Sequence, residues 1–344
     1  MLRKPEWIVL LVLFVLPQPG RPAPALERVT LTKHGNQVDV SIGGRPFTTY
    51  VFDPAQAKPY LQPLRSASGI VVSRGFPVGD RIPDEHQRDR SLEPHQRDLY
   101  FAHGNINGYN FWAEQAFARF YGEQTLPYGR TVLRKLIARA GTVRAEFALD
   151  GAGAGVIGGE TQEYTFSGDS ETRTIDCAFT LSATRGPLNI ADTKEGTFAI
   201  RVAPELNSPP GRMVNSRGGH GEPEIWGKPA EWVDYSGTIG GRQIGIAIFD
   251  HPQNFRHPTT WHARGYGLFS VNPFGLRAFT QDAKQDGTHT IPPGGSLTLR
   301  YRVLIHPGDD QQAHIADAYR QYASGQLQGR SLLRSLSHSG VGLK

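Results

Sequence analysis

His251, His257 and His262 fall within twelve residues of one another, interleaved with Arg256 and Trp261 and directly preceded by Asp250. Free imidazole titrates near pH ~6.5, which makes it the ordinary side chain for moving a proton at neutral pH. A carboxylate, a guanidinium and aromatic rings in the same loop are the makings of a polar ligand site on a rigid scaffold. The chemistry they suit is proton transfer on, or recognition of, a small molecule or glycan.

A second concentration lies upstream, where His95 and His103 flank Arg97. Arg65, Arg74 and Arg97 sit among Gly, Pro and aromatic residues, and a guanidinium fork suits a uronate carboxylate or paired sugar hydroxyls. Each can equally pair with Glu93, Asp80 or Asp98. Hydrolysis of a glycoside asks for two carboxyl groups facing each other across the bond. The candidates are Glu195, Glu222, Glu224, Asp234 and Asp250, and spacing alone does not pair them. Lys194 beside Glu195 reads as an acid–base pair or as a solvated turn. Opening or epimerising a sugar needs only one imidazole and one carboxylate. A lyase needs a base and a charge stabiliser. The rings of Trp112, Trp226, Trp232, Tyr235, Trp261, Tyr266 and Phe274 cluster near loops, where flat faces stack on pyranoses or pack a core.

The expected site therefore gathers His95, Arg97, His103, His251, His257 and His262, with Glu222 or Asp250 as carboxylate partner. Arg65, Arg74, Trp112, Trp232, Tyr235 and Trp261 are the expected substrate contacts. No cofactor is expected; three imidazoles meeting in space would hold a divalent metal, but no H-x-H or H-E-x-x-H spacing marks one. Phosphate loops, dinucleotide fingerprints and G-x-S-x-G elbows are lacking, which argues against phosphoryl transfer, nicotinamide chemistry and serine hydrolysis.

What positions these groups is β-structure. Two-residue alternation runs through 38–42, 143–149, 172–181, 197–202 and 297–305, and a strand at 244–249 feeds the histidine loop. Many short alternating runs broken by Gly and Pro predict an all-β, antiparallel β-sandwich. Arg, Thr and Asp at alternate positions predict one wet face on each sheet. Only two helices are expected, within 108–121 and over 313–323, where Ile315, Tyr319 and Tyr322 share a face. His86-Gln-Arg-Asp89 recurs as His95-Gln-Arg-Asp98 in a polar loop, too short a match to read as a structural repeat.

The first 25 residues read as a secretory signal peptide: Arg3 and Lys4, an apolar stretch at 8–16, then Ala23-Pro24-Ala25. The apolar stretch is well short of the roughly 20 residues of a membrane span. A periplasmic or secreted protein is expected, with one sandwich domain over 26–324 and a loose tail over 325–344. Without the leader the formal charge falls from +5 to about +3, and the absence of Lys/Arg clusters argues against nucleic acid as a partner. Cys177 is the only cysteine, so neither an internal disulfide nor a cysteine zinc site can form. The expected partner is a small molecule or oligosaccharide.

Six blocks resemble the PmoA-like family of exported bacterial proteins, often labelled methane oxygenase: KPYLQPLRSASGIVVSRGFPVGD (58–80), PHQRDLYFAHGNINGYNFW (94–112), DTKEGTFAIRVAPEL (192–206), GEPEIWGKPAEWVDYSG (221–237), 250–275, and YRVLIHPG (301–308). The resemblance implies a galactose-mutarotase-like supersandwich and a link to sugar degradation. The oxygenase label fits poorly with a chain that has no spanning segment. Where that family reads close to P-H-H-R-G-L-W-F-A-H-G, this chain has Gln96, Asp98 and Tyr100 in place of the second His, the Gly and the Trp. Gln can hydrogen-bond a sugar but cannot shuttle a proton. Three readings follow in order: an exported carbohydrate-active hydrolase, lyase or epimerase; a non-catalytic glycan-binding or scaffold protein; a metal-dependent oxygenase.

Overall fold

The computed structural model describes residues 25–79, 85, 93–120 and 126–325. The expected leader apart from Ala25, the first copy of the His-Gln-Arg-Asp repeat and nearly all of the expected tail lie outside these residues. Within them, eighteen strands are laid down in chain order. They are β1 (Val29–His34), β2 (Gln37–Ile42), β3 (Arg45–Val51), β4 (Tyr60–Leu61), β5 (Leu99–His103) and β6 (Gly129–Arg139). There follow β7 (Thr142–Gly151), β8 (Gly155–Gly168), β9 (Arg173–Ser182), β10 (Leu188–Ile190), β11 (Gly196–Arg201) and β12 (Arg212–Asn215). The last six are β13 (Trp232–Ile239), β14 (Arg242–Asp250), β15 (Trp261–Ala263), β16 (Leu268–Val271), β17 (His289–Ile291) and β18 (Ser296–Pro307).

Two eight-stranded antiparallel sheets carry the fold. The first runs β1-β2-β3-β4-β5-β11-β16-β15, the second β12-β13-β14-β18-β9-β8-β7-β6. One apolar core joins them, drawing Phe101, Phe198 and Phe269 from the first sheet and Phe179, Ile246 and Tyr301 from the second. Rings bridge the layers: Phe101 stacks on Phe179 at 4.3 Å and Phe198 on Tyr301 at 5.0 Å. Such ring pairs add roughly 0.5–1.5 kcal/mol beyond the area they bury. The expected antiparallel sandwich is thus what the chain forms, and every strand read from alternation is present.

The core also holds a polar network. The Tyr50 and Tyr164 hydroxyls donate to Gln162 Oε1 at 2.9 and 3.0 Å, and Gln162 Nε2 donates to Glu160 Oε1 at 2.6 Å. Burial pushes the Glu160 carboxyl up to about 7.

The wet-face expectation holds for some strands of each sheet, such as β2, β8 and β9, and fails for others, such as β5, β11, β13 and β14. In β8 and β9 buried positions alternate with half-exposed ones, whereas every residue of β5, β11 and β16 is buried. The polar alternate positions of β5, β11 and β16 are therefore enclosed, not solvated. Helix appears as expected at α3 (Ile315–Ala323), which lies on the outer face of the second sheet over Trp232 and Phe249. Within 108–121 there is only a 3-10 turn, Gln115–Phe120. Two helices of five residues, α1 (Gly221–Ile225) and α2 (Leu276–Thr280), are too short to show a period in the sequence.

Candidate functional site

The register of the first sheet builds a line of side chains across its outer face. Tyr60 of β4 faces Tyr100 of β5, Tyr100 faces Ala199 of β11, Ala199 faces Ser270 of β16, and Ser270 faces His262 of β15. Alternation decides which side they take. Leu99, Phe101, Phe198, Ile200, Phe269, Trp261 and Ala263 point into the core, so their neighbours point out. At ~4.8 Å per strand the line from Tyr60 to His262 spans about 19 Å.

A cation–aromatic stack stands beside this line. Arg201 Nη1 donates to Gln96 Oε1 at 2.6 Å, and its guanidinium carbon lies 4.5 Å from the Tyr266 ring centroid. Arg74 Nη2 donates to the carbonyls of Glu93 and Gln96 at 2.9 and 2.8 Å, tying the 93–97 segment to the sheet. The Tyr100 hydroxyl is buried, makes no hydrogen bond, and lies in the field of Glu195, Tyr266, Arg74 and Arg201.

His262 is the imidazole best prepared for chemistry. Its Nδ1 lies 2.8 Å from the carbonyl oxygen of Lys194. A carbonyl can only accept, so Nδ1 carries the proton and Nε2 keeps its lone pair. Burial lowers its pKa to about 4, against the pull of the Glu195 carboxylate, so the ring is neutral at pH 7. Glu195 is also in the field of Glu93, whose carboxyl is raised by burial first and by Glu195 second. A neutral imidazole and a carboxyl whose pKa burial raises thus share one electrostatic neighbour.

Beneath the other end of the line lies a buried charge triad. Lys58 Nζ donates to Glu114 Oε1 at 2.6 Å and to the Trp112 carbonyl at 2.7 Å, while Arg97 Nη2 donates to Glu114 Oε2 at 2.9 Å. Burial lowers the Lys58 pKa to about 8, partly countered by Glu114. Trp112 packs on Tyr100 at 5.0 Å and on the His95 ring at 6.0 Å. Burial, then the charges of Lys58 and Arg97, hold His95 well below its usual pKa.

The structure does not bring the fourteen expected site residues into one place. His95, Arg97, Arg74, Trp112 and His262 share the outer face of the first sheet. Arg65 lines a hollow of about 480 Å³ beside Tyr60, at the far end from His262. Glu222 sits at the rim, ion-paired to Arg264 Nε at 2.9 Å and accepting from the Gly265 N–H at 2.7 Å. His103 turns inward: it hydrogen-bonds the Ala191 carbonyl at 2.8 Å, and a Cβ at Gly196 would stand 2.4 Å from its Nδ1. Tyr235 and Trp261 are core residues whose OH and N–H are satisfied by backbone carbonyls, Arg264 and Leu268 for the first and Ala230 for the second.

Asp250, His251, His257 and Trp232 belong to the second sheet and its α3 cover. Asp250 Oδ2 lies 2.7 Å from His257 Nδ1, its Oδ1 accepts from Asn254 Nδ2 at 2.7 Å, and Tyr319 OH lies 3.4 Å from His257 Nε2. The His251 ring packs edge-on to Tyr322 at 5.3 Å, and Trp232 lies in the apolar cluster under α3. These groups secure the turn and the helix.

Among the described residues no three His, Cys, Asp or Glu side chains are grouped to hold a metal ion. No described helix is long and apolar enough to cross a membrane. A cavity of about 890 Å³ opens between the 54–57 and 126–130 segments, but among the described residues Glu114 and Arg130 are the only charged groups in its lining. The convergence of titratable groups, rather than size, marks the outer face of the first sheet. Sequence reasoning passed over Arg201 and Arg264. Arg201 could have been found, since the alternation of 197–202 places it with Thr197 and Ala199.

The class these features define is a two-sheet antiparallel sandwich with an enclosed polar outer face on one sheet. The chain belongs to the family described as "Family of unknown function (DUF6807)", matched over residues 37–320. A search of curated proteins returns no match. Among solved structures, the chain is similar to the GH36 alpha-galactosidase AgaA of Geobacillus stearothermophilus, at 10% identity and TM-score 0.35, covering 82% of this chain and 41% of that one. It is similar to a 4-alpha-glucanotransferase of Thermococcus litoralis at 11% identity and TM-score 0.35, covering 81% and 39%. A putative aldose 1-epimerase of Escherichia coli K12 is similar at 10% identity and TM-score 0.28, covering 83% and 100%. The chain spans about two fifths of the length of the first of these.

Proposed function

We propose that the protein is carbohydrate-active and that the outer face of the first sheet is its site, working by proton transfer as in ring opening or epimerisation of a sugar. The observation that carries this reading is the His262 ring, whose Nδ1–H is committed to the Lys194 carbonyl while its neutral Nε2 is left free. In the reaction, Nε2 takes the proton of an anomeric hydroxyl as the carboxyl of Glu93 gives one to the ring oxygen. The ring bond breaks, the carbonyl forms, and reversal from either face returns both protons. Arg201, Tyr266 and Tyr100 orient the hydroxyls. The N-terminal layout makes the periplasm or the exterior the compartment we assign, which N-terminal sequencing of the exported protein checks.

The test is NMR of aldoses and uronates in D2O, which reads anomer exchange, carbon-bound hydrogen exchange and bond cleavage together. Catalysed anomer exchange in the wild type, falling by roughly 10²–10⁴ in His262→Gln, is expected. If no sugar is turned over and none raises the melting temperature, the reading fails.

A glycan-binding protein without catalysis is the second reading, and Gln96 favours it. At the place where the resembling family has a histidine, Gln96 orients Arg201 and carries no proton. A sugar-induced rise in melting temperature without turnover would establish it. With no three-residue ligand group among the described residues, the oxygenase reading gains no support.

A further inference from the structure

Past His262 the outer face continues into an open depression of about 430 Å³, lined by Glu222, Pro223, Trp226 and Arg264. That is within the ~300–1,000 Å³ of ordinary small-molecule pockets. Trp226 is its shared wall. The indole stands edge-on to the His262 ring at 6.4 Å and 79°, and Phe279 braces it from another side at 5.4 Å and 87°. The turn of α1 places Glu222 four residues before Trp226, with the Trp226 N–H donating to the Glu222 carbonyl at 2.9 Å.

Arg264 bounds the depression toward the site. Its guanidinium carbon is 5.9 Å from the Trp226 ring centroid and 5.7 Å from that of Tyr266, the same ring Arg201 covers from 4.5 Å. The order Gln96, Arg201, Tyr266, Arg264, Trp226 is therefore continuous from the site into the depression. The Trp226 indole N–H is shielded from solvent and has no acceptor.

Resting on the proposed function above, we infer that this depression is a second sugar subsite and that the substrate is an oligosaccharide or glycoside carrying a neutral hexose there. A flat indole wall matches the C–H face of a pyranose, and a guanidinium beside a carboxylate matches neighbouring hydroxyls as donor and acceptor. Neutrality follows from the ion pair. Arg264 is already compensated by Glu222 at 2.9 Å, so a uronate or phosphate would meet the Glu222 carboxylate without an uncommitted cation.

The experiment is titration calorimetry of the full chain with glucose, galactose, maltose, cellobiose, melibiose and digalacturonate. At least one neutral disaccharide is expected to bind about tenfold more tightly than its component monosaccharides, a step of ~1.4 kcal/mol. In Trp226→Ala the ratio of monosaccharide to disaccharide Kd should collapse to near one. Arg264→Gln leaves the indole in place and should lower the same ratio, so it decides the matter if the tryptophan variant does not fold. Monosaccharide binding with no disaccharide gain, or a ratio unchanged in both variants, overturns the subsite while leaving the proposed function standing. A gain found only for digalacturonate overturns the neutral assignment. Binding of none of the six overturns both.

Discussion

Gln96 Oε1 accepts from Nη1 of Arg201 across 2.6 Å, which fixes a guanidinium over Tyr266 at the centre of the enclosed outer face. The hydrogen bond is charge-assisted, of the kind worth about 1.5–3 kcal/mol.

Gln96→Ala should therefore loosen Arg201 without emptying the site. Sugar affinity is expected to fall about tenfold, and Arg201→Ala should fall at least as far. Calorimetry with a sugar that binds the wild type measures both. Affinity unchanged in both variants would remove the stack from the site.

His262 should report its tautomer and its low pKa directly. A ring with its folded pKa near 4 against 6.5 when exposed disfavours protonation in the folded state. Between those values the unfolded chain binds the extra proton, so this contribution is complete above pH 6.5 and is lost as pH falls toward 4. The amount is on the order of 3 kcal/mol. His103, lowered to about 4 by burial, acts in the same direction. Urea midpoints of His262→Gln against wild type at pH 7.5 and 4.5 should converge as pH falls, and NMR should show the His262 ring still neutral at pH 5.5.

Glu160 works in the opposite sense. Its carboxyl is raised from 4.5 to about 7 by burial, so the folded state holds a proton that the unfolded chain has released. Its contribution is complete below pH 4.5 and is lost as pH rises through 7. Glu160→Gln is expected to gain on the order of 3 kcal/mol over wild type at pH 8 and nothing near pH 4. A variant no more stable at pH 8 would show that burial does not raise the Glu160 carboxyl.

The Lys58–Glu114–Arg97 triad should be intolerant of losing its centre. Glu114 receives both cations, and all three side chains are at most 3% exposed. Glu114→Ala removes the carboxylate that two buried cations share and should cost ~3–5 kcal/mol in chemical denaturation. Loss below 1 kcal/mol would mean that water reaches the pair.

Period-two alternation and turn residues were enough to read the sandwich, because side chains of a strand must alternate between core and outside whatever its neighbours are. The strands of 38–42, 143–149 and 297–305 were visible for that reason, and the helix ending at Ala323 because Ile315, Tyr319 and Tyr322 share one helical face. Alternation cannot tell which outside face is later covered. The polar positions of β5, β11 and β16 look solvated in sequence, and only their neighbours enclose them.

The histidine loop shows the same division. Its residue types determined that imidazole, carboxylate and ring would lie at strand ends. Which of them meet was decided by the path of the chain. Asp250 ends β14 in the second sheet, and eleven residues later Trp261 begins β15 in the first. The loop between them crosses from one layer to the other, so His257 is left with Asp250 and Tyr319 while His262 joins Ser270 and the outer face. Residues adjacent in sequence were separated by the thickness of the core. Arg201, Gln96 and His262, far apart in sequence, were brought together because antiparallel pairing sets strands from distant segments a few ångströms apart.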